Sequence, residues 1–89
     1  MKQHLNIKVY GLVQGVFFRS TAQKEAQNLN LTGFARNEDD GSVYIEAEGA
    51  KEDLDKFIEW CNVGPPIAQV EKVVVSEDKL KNFSSFEAY

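Results

Sequence analysis

The chain has 89 residues, 43% of them hydrophobic and 27% charged, a length and balance that give one compact globular domain over residues 1–89 and exclude a second core or a disordered tail. A net charge of -4 and a pI near 4.9 argue against the broad basic surface with which nucleic-acid binders displace counterions. The single Cys61 excludes an intramolecular disulfide, and no stretch approaches the roughly 20 apolar residues needed to span a bilayer, so the expectation is a cytoplasmic monomer without membrane contact.

Leu5, Ile7 and Val9 alternate with Asn6, Lys8 and Tyr10, the period of a strand with one buried face, and Gly11 opens a loop. From about Phe18 the apolar spacing becomes Phe18, Ala22, Ala26 and Leu29, an amphipathic helix that Asn30 is suited to end, because Asn tolerates the left-handed conformation beyond a helix C-terminus. A short strand follows at about Phe34 to Glu38. The turn Asp39-Asp40-Gly41 leads into a strand with Val43, Ile45 and Ala47 on one face, closed by Gly49.

A second helix begins with Glu52 and Asp53 near its positive end, and buries Leu54, Phe57, Ile58 and Cys61 at i, i+3, i+4 and i+7. Gly64-Pro65-Pro66 stops it, and Val70, Val73, Val74 and Val75 form a fourth strand. The tail from Phe83 to Tyr89 has the weak pattern of a short edge strand. The order βαββαβ defines an α+β, ferredoxin-like sandwich: a four-stranded antiparallel sheet with both helices on one face. This superfold serves binding modules and enzymes alike, so function must come from a site.

Strands one and two run parallel in this architecture, so the loops that follow them meet at one edge of the sheet. The first loop, Gly11 to Arg19, carries two glycines that let backbone N–H groups turn toward a common point, and it leads directly into a helix N-terminus. Arg19 adds a planar fork of donors suited to two phosphate oxygens. The Gly-Lys-Ser/Thr ending of a nucleotide P-loop is absent. Asn37, at the end of strand two, brings a carboxamide to the same edge, where it can orient a water without adding negative charge beside a phosphate.

Other candidates read as structural. His4 lies at the far end of strand one and reads as a surface histidine, Trp60 and Phe57 belong to the core, and Glu38, Asp39 and Asp40 form a solvated hairpin turn. Cys61 falls in an apolar helical pattern and reads as a packed, inert thiol. No metal-ligand spacing occurs near the glycine loop.

The stretches Val9-Tyr10-Gly11-Leu12-Val13-Gln14-Gly15-Val16-Phe17-Phe18-Arg19 and Gly33-Phe34-Ala35-Arg36-Asn37, the second continuing through Gly41, Val43 and Gly49, resemble the two signatures of the acylphosphatase family. The chain departs from the family pattern at Asn30, where many members have Gly, and in a final strand that looks slightly short. The resemblance implies a cofactor-free and metal-independent hydrolase of acyl phosphates. It implies that Arg19 and the backbone amides of Gln14, Gly15, Val16, Phe17, Phe18 and Arg19 bind the phosphate, while Asn37 orients the attacking water. Inorganic phosphate is then both product and competitive inhibitor. The alternative is a non-catalytic ferredoxin-like regulatory or binding domain. An RNA-recognition module fits less well, because its aromatic motif belongs on the third strand whereas Gly33-Phe34-Ala35 falls on the second.

Overall fold

Strand β1 (Lys2–Leu12) sends Ile7 and Val9 into the interior, and this strand organises the rest of the sheet. The computed structural model describes residues 1–89, with β1 followed by α1 (Phe18–Asn28), β2 (Thr32–Asn37), β3 (Val43–Ala50), α2 (Lys51–Cys61), β4 (Gln69–Asp78) and β5 (Phe86–Ala88). The strand order is β4-β1-β3-β2-β5. Because β1 and β2 both pair antiparallel with β3, they share a direction and end at one edge.

One cluster joins Phe18, Ala22 and Ala26 of α1 and Leu54, Phe57 and Cys61 of α2 to Ile7, Val9, Ala35, Val43, Ile45 and Ala47 of the sheet. Removing side chains as large as Phe18 and Phe57 from water stabilises the fold by roughly 1.5 to 3 kcal/mol each, which is why the 3.6-residue spacing fixes the helix faces. Burial also pushes the Cys61 thiol well above its ordinary range, so it is an inert core group. Asn30 adopts φ 58, the left-handed turn expected beyond α1.

The sheet differs from the expected four antiparallel strands. It has five, and β5 pairs parallel with β2 through Gly33–Phe86, Phe34–Glu87 and Ala35–Ala88. Phe86 is buried against Phe57, which supplies the energy for docking a strand too short to show a period.

His4 is a second correction: it is fully buried rather than exposed. Strands β4 and β5 lie at opposite edges, so residues 79–85 cross the sheet on the face away from the helices. There Phe83 packs on His4 and Phe34, and Lys81 reaches Glu46 and Glu48. The His4 ring meets Glu48 through Nδ1 at 2.8 Å, and Asn6 and Glu46 through Nε2 at 3.0 and 2.9 Å. His4 is out of phase with Ile7 and Val9, so only the crossing segment buries it.

Candidate active site

The path of the first loop is set by backbone geometry. The β1–β4 register shifts between Tyr10 and Gly11, and a Cβ at Gly11 would stand 2.1 Å from the Gln69 carbonyl oxygen, so only glycine lets the strand bulge there. Gly15 and Phe17 then take φ 73 and 65, while Val16 between them does not. Alternation of hand of this kind turns successive N–H groups to one side and makes a concavity for an anion. Phe17 occupies the N-cap of α1 without a side-chain cap, so the first helical N–H groups are left for an external acceptor. Its carbonyl is held by the Thr21 hydroxyl at 2.7 Å and the Thr21 N–H at 3.1 Å, which anchors the loop to the helix.

A cleft of about 350 Å³ opens here, lined by Val13, Gly15, Phe17, Phe18, Arg19, Ser20, Ala88 and Tyr89. Of the site residues read from the sequence, Arg19, Gly15, Phe17 and Phe18 therefore stand on its wall. Val16 is buried and does not line it. Gln14 turns away: its carboxamide donates to the carbonyls of Glu38 at 2.8 Å and Ser42 at 3.0 Å. Asn37 ends β2 opposite Val43, is exposed and does not line the cleft; it is tied to the loop through its neighbour Glu38.

The turn that carries Glu38 and Ser42 is itself braced. Asp40 accepts from the Ser42 hydroxyl and, at 3.0 Å, from the Ser42 N–H, and it pairs with Lys8 at 3.0 Å. These partners, the Ser42 hydroxyl first, lower its carboxyl to about 2. Glu38, Asp39 and Asp40 thus form a turn at the surface, and no group of three or more His, Cys, Asp or Glu is placed to hold a metal ion.

The tail forms the short edge strand expected of it, but its place at the cleft was not read from the sequence. The Arg19 guanidinium donates to the Tyr89 carbonyl, the Tyr89 N–H donates to Ala35 at 2.9 Å, and Gln23 donates to the Phe86 carbonyl at 3.0 Å. Ala88 and Tyr89 reach the cleft because β5 pairs with β2, a long-range contact that no local pattern near Arg19 encodes.

Fold and cleft together define a ferredoxin-like sandwich that gathers backbone donors and one arginine at the end of β1. The acylphosphatase family model matches residues 5–88. An acylphosphatase from Acaryochloris marina is 46% identical over 83 residues, spanning 93% of this chain and 89% of that protein. The acylphosphatase structure from Bacillus subtilis superposes with a TM-score of 0.95 at 38% identity, covering 100% of this chain and 99% of that one. That from Coxiella burnetii gives 0.96 at 35% identity, covering 99% and 93%. The chain belongs to the acylphosphatase family, and it is a hydrolase.

Proposed function

We propose that this acylphosphatase binds the phosphoryl group of its substrate with Arg19 and the amides of the Gln14 to Arg19 loop, and that Asn37 orients the attacking water. The observation that carries this reading is the meeting of Arg19, the left-handed loop and the uncapped start of α1 at one cleft. A planar guanidinium and fixed N–H dipoles match the charge spread over the equatorial oxygens of a loose phosphoryl-transfer transition state.

In the reaction, the water oxygen forms a bond to phosphorus while the bond from phosphorus to the acyl oxygen breaks. The acyl group leaves as a carboxylate with that electron pair, and a proton from the water passes to a phosphate oxygen. A carboxylate is a good leaving group, so no general acid is required. No histidine stands at the cleft, since His4 is buried beneath the crossing segment on the opposite face of the sheet. Inorganic phosphate fits the same cradle and should compete with substrate. The chain is acidic and no helix is long and apolar enough to cross a membrane; a cytoplasmic monomer is part of this proposal.

The decisive experiment is hydrolysis of benzoyl phosphate by the purified chain in excess chelator. Turnover that persists supports a metal-independent acylphosphatase; turnover lost in chelator and restored by magnesium overturns metal independence, and none with or without magnesium would favour a binding domain on the same fold.

A further inference from the structure

Phe17 is the side chain that the fold and the proposed chemistry leave unexplained. It holds φ 65 and ψ 21, a left-handed conformation that strains an ordinary side chain and that glycine would adopt without strain. Burial does not offset that strain, because Phe17 is 72% exposed. The neighbouring aromatic, Phe18, is 1% exposed and spends its ring on Trp60 and the core. Val13, also on the cleft wall, is 1% exposed, and the Tyr89 ring lies beside Phe34 at 6.0 Å. Tyr89 on the same wall is 68% exposed, but its ring is paired with Phe34, which leaves Phe17 as the exposed wall aromatic with no ring partner, two residues from Arg19.

We infer that the Phe17 ring is the acyl-binding subsite of this chain and selects acyl phosphates with an aromatic or other flat apolar acyl group over those with a small one. The inference rests on the proposed phosphoryl cradle at Arg19. With the phosphoryl group held there, the acyl group must project out of the cradle, and an exposed ring on the same wall offers it a face to stack on. Stacking of this kind is worth about 0.5 to 1.5 kcal/mol, enough to alter selectivity several-fold without altering the chemistry. A glycine at position 17 would relieve the strain and abolish the stacking face.

The test compares benzoyl phosphate with acetyl phosphate on wild type, Phe17→Asn and Phe17→Tyr. Asn tolerates positive φ, so that variant keeps the loop and loses the ring. The readout is the ratio of kcat/KM for benzoyl phosphate to kcat/KM for acetyl phosphate. A loop that has merely loosened lowers both numbers and leaves the ratio alone. We expect the ratio to fall roughly three- to tenfold in Phe17→Asn, chiefly through KM for benzoyl phosphate, and to stay within twofold of wild type in Phe17→Tyr. Turnover of both substrates with an unmoved ratio in Phe17→Asn overturns the subsite and leaves the phosphoryl cradle standing. If wild type turns over neither substrate, the proposed activity falls and the subsite with it.

Discussion

Gln14 and Glu38 are joined by a 2.8 Å hydrogen bond from the Gln14 carboxamide to the Glu38 carbonyl, and Asn37 is the residue immediately before Glu38. The second Gln14 hydrogen goes to the Ser42 carbonyl at 3.0 Å, so one side chain sets the loop that leads to Arg19 against the turn that follows Asn37. Gln14→Glu keeps the length and shape but points a carboxylate at two carbonyl oxygens. Facing acceptors disfavour the charged form, so this carboxyl should titrate above the usual value of about 4.3. Below that point it is protonated and donates one bond; above it the link is lost. The expected outcome is a variant whose kcat falls roughly tenfold relative to wild type as pH rises through the carboxyl titration, the scale of one or two hydrogen bonds. The measurement is kcat against pH for both proteins, and a constant ratio would remove Gln14 from the positioning of the site.

Arg19 and Asn37 should fail differently when replaced. Asn37→Ala is expected to lower kcat by roughly two orders of magnitude, as for loss of one preorganised polar group, while phosphate binds with similar affinity. Arg19→Ala should lose both turnover and phosphate binding, and Arg19→Lys should restore little, because a point charge does not reproduce a bidentate fork. Calorimetric titration with phosphate alongside steady-state kinetics separates the roles. If Asn37→Ala lost phosphate as completely as Arg19→Ala, the water-orienting assignment would be wrong.

The buried Glu48 ties acid sensitivity to the crossing segment. Burial raises its carboxyl, but the N–H groups of Lys81 and Phe83 and the His4 ring outweigh burial and hold it below the ordinary 4.5. A carboxyl lowered by folding stabilises the protein above the unfolded value, and that contribution is lost as pH falls through the folded value. Glu48→Leu leaves His4 and two N–H groups without this partner, a loss of about 3 kcal/mol, or on the order of 15 °C in Tm for a domain of this size at neutral pH. At acid pH, below the folded-state value, the wild-type carboxyl is protonated, and the gap between the two proteins should narrow. Thermal melts at both pH values check this; an equal gap would mean that the Glu48 charge contributes nothing.

Asn30 closes α1 with φ 58 and is exposed. Asn30→Gly should raise stability by a few tenths of a kcal/mol, and Asn30→Ala should lower it by about 1 kcal/mol, since Ala has neither the freedom of Gly nor the local hydrogen bonding of Asn in this conformation. Urea unfolding midpoints for the three proteins give the order directly. Ala equal to Asn would show that the left-handed turn is not held in solution.

The periods of Ile7 and Val9, of Phe18, Ala22 and Ala26, and of Leu54, Phe57 and Cys61 were legible because each segment long enough to repeat must bury one face, and that repeat is written locally. That the glycine loop, Arg19 and Asn37 share one sheet edge was legible because β1 and β2 run parallel, but Arg19 lines the cleft and Asn37 does not. The place of the tail at the cleft was not legible. The three residues of β5 are too few to show a period, yet their parallel pairing with β2 brings the Tyr89 carbonyl to Arg19. His4 was read at the surface as a lone histidine at the far end of β1, but residues 79–85, carried across the sheet from edge to edge, bury it with Glu48. The exposed, left-handed Phe17 is likewise a matter of tertiary structure. Alternation tells which face of an element is apolar, but whether a given side chain is covered depends on what arrives from a distant part of the chain, and that is settled by packing rather than by sequence period.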